Sequence, residues 1–411
     1  VITLTDKQRE YTWNATARWN IKSGAVRSGK SFVDTAWVIP QRILDRKGLA
    51  GISVILGVSK STIERNVLLP MREIYGARRI GQINSENIAV IFGERVYCLG
   101  AEKISQVAKV QGASFKYCYG DEVAKWNEEV FNMVKSRLDK PYSCFDGSLN
   151  PENPGHFVKR FIDSDADIYL QEYTLFDNPY LSKDFVENLC REYAGTVYYD
   201  RLIKGLWTRA EGLIYQSFTD ANTYDDNTRP AGLERIGSRT IACDYGTTNP
   251  CVYLDIYDTG DIIYIDREYR WDSRSDAAKR SGNPQKTDAQ YGDDMCAFMG
   301  DNQELICGII IDPSAASFIQ ELRGRGLLVT PANNEVLDGI RKTSSLFALK
   351  KIMINKRCEG LIDELHSYVW DDRAALIGED KPVKEKDHGP DALRYYINSL
   401  PSWRFLQIGG K

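Results

Sequence analysis

Long hydrophobic runs are missing from this sequence. None approaches the roughly 20 residues of a membrane-crossing helix, and no signal-peptide pattern opens the chain, so a membrane partner is not expected. Paired cysteines are also missing. The nine cysteines are scattered, odd in number and without a C-x-x-C pair, which argues against a disulfide framework or a zinc ribbon and for reduced thiols in a cytosolic setting. Charge of one sign is not in excess either: 53 basic against 57 acidic residues give a net −4, so any nucleic-acid surface must be local. Val1 stands where Met is usual, which suggests processing or trimming. What remains is a globular profile, 43% hydrophobic, 27% charged and 11% aromatic. At 411 residues it is long for one core and comfortable for two domains.

Residues 24–31 read Gly-Ala-Val-Arg-Ser-Gly-Lys-Ser and match G-x-x-x-x-G-K-[ST]. Gly24 and Gly29 let the backbone bend around a triphosphate, so that N–H groups and a helix N-terminus face the anion. Lys30 would reach the β- and γ-phosphates of ATP, and the Ser31 hydroxyl would sit on Mg²⁺. Apolar Trp19 and Ile21 precede the loop and a helix-like run over 32–44 follows, the strand–loop–helix context the motif needs. Upstream, Thr5 or Asp6 caps a first helix carrying Gln8. That glutamine either reads an adenine, as in some P-loop motors, or lies on the helix surface.

Strands are predicted at 52–58, 115–119 and 142–149, with a hairpin over 88–99 turning at Gly93-Glu94. Their alternation with helices indicates an α/β domain with a largely parallel sheet. The run Phe-Lys-Tyr-Cys-Tyr-Gly ends in Asp121-Glu122. There Asp121 would hold Mg²⁺ through its waters, and Glu122 would orient and deprotonate the attacking water. Ser148-Leu149-Asn150-Pro151 ends the next strand; Asn150 either contacts the γ-phosphate or makes an Asn-Pro turn. From Tyr169 the texture changes, with a helical stretch over 183–204 around Gly195, and the polar segment 219–230 is the best domain boundary.

In the second half, Asp244 and Asp312 end separate predicted strands and Asp391 starts a late helix, with His388 three residues before it. A short strand is expected at 327–329. An RNase H-like fold gathers carboxylates from such positions, where they can bind two Mg²⁺ or Mn²⁺ ions roughly 3.5–4 Å apart and cut phosphodiesters. The alternative is that these aspartates are structural, Asp391 merely capping its helix. Asp244-Tyr245-Gly246 also looks like the first phosphate loop of actin-type ATPases. Asp312 is followed by Pro-Ser-Ala-Ala, however, which supplies no second glycine-rich loop.

Taken in order, these motifs resemble the large terminase subunit of tailed bacteriophages, the ATP-driven motor and nuclease that packages DNA. The resemblance covers nearly the whole chain. It rests on the 24–31 loop, Tyr119-Gly120-Asp121-Glu122, Leu149-Asn150-Pro151, Asp177-Asn178-Pro179-Tyr180, Gly205-Leu206-Trp207, Asp244-Tyr245-Gly246, Asp312-Pro313-Ser314 and Asp387-His388-Gly389-Pro390-Asp391-Ala392-Leu393-Arg394-Tyr395. It implies an α/β chain with a P-loop ATPase core over 1–168, a lid or linker subdomain over 169–222 and an RNase H-like nuclease over 223–411. By the same resemblance Glu122 is the hydrolytic base, Arg27 senses the phosphates, and Asp244, Asp312 and Asp391 are nuclease metal ligands with His388 close by. Implied partners are double-stranded DNA, a small terminase subunit, the procapsid portal protein and further copies in a ring, in the cytoplasm of an infected bacterium. One departure stands out: where family members often carry an arginine finger, this chain has Gln111, leaving Lys109 or Arg137 as candidates. Rival readings are a helicase–nuclease, an integrase-like ATPase, or a nucleotide-switched DNA-binding scaffold.

Overall fold

The computed structural model describes residues 3–247, 249–280, 285–300 and 306–401. They form two compact units. One comprises the described residues up to Ser182 with Tyr198–Arg209 and Leu376–Glu379; the other comprises Lys183–Val197, Ala210–Ala375 and the described residues from Asp380 onward.

The first unit is built on a seven-stranded sheet of β1 (Trp19–Gly24), β2 (Ile52–Gly57), β3 (Ile88–Ile91), β4 (Glu94–Gly100), β5 (Phe115–Gly120), β6 (Cys144–Leu149) and β7 (Ile168–Tyr173). Its order is β3-β4-β2-β5-β6-β1-β7, with only the β3–β4 hairpin antiparallel. Parallel strands covered on both faces read as continuous apolar runs, as Ile-Ser-Val-Ile-Leu-Gly of β2 does. Ile55, Tyr117 and Tyr119 pack on Ile39, Ile43, Ile63 and Met71 on one face. Val54, Leu56, Cys118 and Phe145 pack on Val130, Phe131 and Val134 of the helix Glu128–Arg137 on the other. Tyr169, where the sequence texture changes, belongs to the edge strand β7.

The helix expected over 32–44 is present, but its middle is a wide turn, Asp34–Val38, between Lys30–Val33 and Ile39–Asp45. Pro40 has no N–H to give Ala36. That carbonyl instead accepts a hydrogen bond from the Tyr75 hydroxyl. The helix after β2 repeats the device, with a wide turn at Glu64–Leu68 just ahead of Pro70. The single stretch predicted over 183–204 is two helices, Lys183–Tyr193 and Val197–Leu202, because Gly195 turns left-handed at φ +72°.

The second unit has another seven-stranded sheet, of β8 (Thr223–Tyr224), β9 (Ser238–Asp244), β10 (Cys251–Asp258), β11 (Ile263–Trp271), β12 (Ile306–Ile311), β13 (Val329–Pro331) and β14 (Ile352–Asn355). The order is β13-β12-β9-β10-β11-β14-β8, in which β9, β10 and β11 form an antiparallel meander and β12 and β13 add in parallel beside β9. This is the RNase H-like arrangement. Alternation along β9 splits the core: Ala242 faces Ala392, Leu393 and Ile397 of the helix His388–Ser399, while Ile241 and Cys243 face Tyr291, Met295 and Phe318. The strand expected at 327–329 lies later, at Val329–Pro331, with Leu328 exposed and Pro331 on the sheet edge, where its missing N–H costs no ladder bond. Among the described residues no helix is long and apolar enough to cross a membrane.

Candidate active sites

In the first unit β5, β6 and β1 are adjacent, so the segments leaving their C-terminal ends converge in the crevice where open α/β sheets take ligands. Lys30 and Ser31, just past the loop after β1, the Asp121-Glu122 pair after β5 and Ser148-Leu149-Asn150 at the end of β6 line a cavity of about 230 Å³ with Asn66. The loop's geometry requires its glycines. A Cβ on Gly24 would lie 2.1 Å from the Tyr173 carbonyl oxygen, and Gly29 has φ +86°.

Lys30 is buried, and its ammonium donates to the Ala25 carbonyl at 2.8 Å and to Asn150 Oδ1 at 2.6 Å. Burial lowers its pKa to about 8, opposed by the nearby carboxylates of Asp121 and Glu122. Burial likewise raises the Asp121 carboxyl to about 6, against a hydrogen bond from Asn66. Glu122 sits at φ 51°, ψ 49°, a left-handed conformation that a non-glycine residue holds only under constraint. Its neighbours supply that constraint: Asp121 N–H donates to Leu56 O, and Trp126 Nε1–H donates to Asp121 O.

Gln8 is neither on the surface nor free. It completes a capping box with Thr5, is almost fully buried, and donates from Nε2 to the Gly29 carbonyl at 2.9 Å. Arg27 is exposed at φ 54°, its carbonyl accepting from Asn178 Nδ2 at 2.7 Å. Lys109 is exposed on the short helix Ile104–Val110, and Arg137 ends the helix Glu128–Arg137; neither lines the cavity. Ser31 and Asp121 together offer the hydroxyl and carboxylate oxygens that suit Mg²⁺, which keeps most of its waters and takes one or two protein ligands beside the phosphates. The donor set fits that ion.

In the second unit Asp244, at the end of β9, Asp387, His388 and Asp391, at the start of the helix His388–Ser399, and Tyr395, further along it, line one cavity of about 630 Å³. Arg270, Arg274, Lys384 and Lys386 line it as well. His388 Nδ1 lies 2.8 Å from Asp244 Oδ2, and the Tyr395 hydroxyl donates to Asp244 Oδ1 at 3.3 Å. Asp391 accepts from Arg394 at 2.9 Å, and the Lys384 ammonium lies 3.4 Å from both Asp387 and Asp391. Burial raises the Asp244 carboxyl even though His388 opposes it. The His388 imidazole, which burial alone would lower, is raised by the bond to Asp244. The helix start is fixed from below by Glu364, which takes the Gly389 N–H at 2.7 Å and both ends of the Arg270 guanidinium.

Asp312, the third aspartate expected here, does not line this cavity. It turns back on its own loop, accepting from Ser314 N–H at 2.7 Å and Asn334 Nδ2 at 3.2 Å. Burial would raise it, but these bonds and one from Tyr395 outweigh it and hold the carboxyl below its ordinary value. The Tyr395 hydroxyl itself donates to Asp244. Among the described residues no group of three or more His, Cys, Asp or Glu side chains is arranged as a metal cage. A hard divalent ion needs only one or two carboxylates, with water and phosphate oxygens completing its shell. Asp244 and Asp391 on one cavity wall fit that chemistry.

Asn66, Asp387, Tyr395 and Lys384 carry no motif of their own that would have singled them out. Tyr395 and Asp387 lay inside the longest motif, and Asn66 stands four residues before a helix-internal proline, the one local hint of an unusual turn.

Residues 21–219 match the family model for the terminase large subunit, T4likevirus-type, N-terminal. No curated protein sequence matches the chain. Among solved structures, the large terminase from the thermophilic bacteriophage D6E superposes with a TM-score of 0.85 at 31% identity, over 97% of this chain and 99% of that one. The same phage protein in complex with ADP gives 0.82 at 30% identity, and in complex with ATP-γ-S 0.81 at 30% identity, with the same coverage in both. With the ordered motifs, the matching domain model and a relative aligned from end to end, the chain belongs to the large terminase subunit family.

Proposed function

We propose that this chain is a DNA-packaging motor whose first unit hydrolyses ATP and whose second unit cuts double-stranded DNA. The observation that carries the motor reading is the cavity in which Lys30, Ser31, Asp121, Glu122 and Asn150 meet at the ends of three neighbouring strands. ADP and ATP-γ-S complexes of the D6E relative support nucleotide as the ligand. Lys30 and the loop N–H groups bind the phosphates, Gln8 braces the loop at Gly29, and Arg27 reports on the nucleotide. Glu122 takes the proton of the attacking water. Bound Mg²⁺, held by Ser31 and Asp121, supplies charge neutralisation on the phosphates. Asn150, already on Lys30, is suited to relay phosphate occupancy into β6.

For the nuclease, Asp244 and Asp391 are the metal ligands we propose, with Asp312 brought in through Tyr395 and His388 orienting Asp244. Mg²⁺ or Mn²⁺ there supplies an activated water and stabilises the leaving oxygen. Arg270, Arg274, Lys384 and Lys386 around the cavity suit phosphodiester contacts, which makes DNA binding salt-dependent. The division at 1–168, 169–222 and 223–411, a moving lid, the small terminase subunit, the portal protein, a ring of copies and a trans charge from Lys109 or Arg137 complete the proposal.

Two assays test it. ATP turnover should vanish in Lys30→Ala and Glu122→Gln; unchanged turnover in both overturns the motor. Supercoiled plasmid should be nicked with Mn²⁺ by the wild type and not by Asp244→Ala; a plasmid left intact by both, with ATP turnover retained, leaves a nucleotide-switched DNA-binding protein instead.

A further inference from the structure

Resting on the reading of the first unit as a magnesium-dependent ATPase, we infer that Asn66 is the positioning residue for Asp121, with Arg65 setting the orientation of its amide.

The helix that follows β2 begins at a capping box, in which Ser59 Oγ accepts from Thr62 N–H and Thr62 Oγ1 accepts from Ser59 N–H. That fixes the entry angle of the helix above the sheet. Four residues on, the wide turn Glu64–Leu68 puts one extra residue into the spiral, with Leu69 N–H reaching back to Glu64 O. Turns of this kind are rare and concentrate at functional sites. Its cause is local: Pro70 has no N–H to return to the Asn66 carbonyl. The result is that Asn66, in the middle of the turn, lines the nucleotide cavity beside Asp121, Glu122 and Lys30.

Asn66 Nδ2 donates to Asp121 Oδ2 at 3.0 Å. Asp121 Oδ1 takes no hydrogen bond among the described residues, so one oxygen is tethered and the other is left for a ligand. Amide orientation is settled by what each end meets. Arg65 Nε donates to Asn66 Oδ1 at 3.1 Å, which commits the oxygen outward and the NH₂ group toward Asp121. The backbone of Asp121 is held from the same side, its N–H on Leu56 O at the end of β2. A single β-strand and its following helix therefore hold Asp121 at both the main chain and the carboxylate. A carboxylate free to rotate would sample orientations in which neither oxygen meets the ion's water shell. Partners that orient metal-binding carboxylates typically change metal affinity or activity about 10–100-fold when removed.

The test uses the full chain and two variants, Asn66→Ala and Arg65→Ala. Affinity for ATP-γ-S is measured with EDTA and with Mg²⁺, Mn²⁺ affinity in the presence of ATP-γ-S by electron paramagnetic resonance, and kcat and KM for ATP alongside. In Asn66→Ala we expect EDTA-condition affinity within about twofold of wild type, with the Mg²⁺-dependent gain, Mn²⁺ affinity and kcat all reduced about 10–100-fold. Arg65→Ala should show the same pattern, weaker. An Asn66→Ala protein with an unchanged Mg²⁺-dependent gain overturns the inference, and so does one that loses metal-free binding equally, since that is the signature of a structural role. Should Asn66→Ala fail to fold, Arg65→Ala decides, and wild-type metal response there overturns it. A wild type with no ATP turnover condemns the ATPase reading itself, which separates the two failures.

Discussion

Lys22 and Asp34 form an ion pair at 2.8 Å with neither side chain exposed to solvent. Lys22 stands two residues before Gly24 on β1, and Asp34 four residues after Lys30 on the following helix, so the pair ties together the two walls of the phosphate loop. The Tyr119 hydroxyl of β5 donates to Asp34 Oδ2 at 3.2 Å, and the Lys22 ammonium lies 3.5 Å from the Tyr11 ring centroid. Burial raises the Asp34 carboxyl to about 6, with Lys22 opposing.

Breaking such a pair on one side leaves the other charge buried and uncompensated, at about 3–5 kcal/mol. Asp34→Asn should therefore lower the melting transition that ATP-γ-S shifts by roughly 10 °C. The double variant Lys22→Met/Asp34→Leu removes both charges and should recover most of that loss. A single variant melting within about 2 °C of wild type would show the pair to be unimportant to stability.

That pair was not legible in the sequence, and the reason is physical. Motif chemistry is carried by short-range spacing: Gly24 to Ser31, Asp121-Glu122 and the 387–395 run each fix their own backbone, so their place at strand ends and helix starts could be read directly. Lys22 sits in a strand that alternates apolar and polar residues, a pattern that would put it on a solvated face, and Asp34 lies in a helix; nothing in either neighbourhood says that both are dry. Gln8 shows the same limit. Its helix was foreseeable, but that it turns inward to Gly29 depends on how the first helix meets the loop. Asp312 shows a third case: its place after a strand could be read, but not that its carboxylate accepts from Ser314 and Asn334 across its own loop.

Tyr395 donates to Asp244 from the same helix that carries Asp391, so its hydroxyl should matter more than its ring. Tyr395→Phe keeps the packing and removes the donor to Asp244. Plasmid cleavage titrated with Mn²⁺ should need about tenfold more metal, with ATP turnover unchanged. Cleavage at the wild-type Mn²⁺ midpoint would leave Tyr395 as packing alone.

His156 offers a test of pH dependence away from both sites. It caps the helix Phe157–Ile162, its Nδ1 accepting the Val158 N–H at 3.3 Å, and its ring lies 4.4 Å from that of Phe157. Burial lowers its pKa below the usual 6.5, outweighing the nearby Glu152. A base whose pKa is depressed on folding binds fewer protons folded than unfolded, so its contribution is present above about pH 6.5 and declines as the pH falls through that value. Protonation also turns Nδ1 from acceptor into donor, which removes the cap. His156→Asn keeps an accepting cap that does not titrate. At pH 8 the variant should match wild type within about 0.5 kcal/mol; at pH 5.5 it should be the more stable by about 1 kcal/mol, as read from denaturant melts of the nucleotide-responsive transition. Parallel losses in the two proteins between pH 8 and 5.5 would mean that the cap does not sense protons.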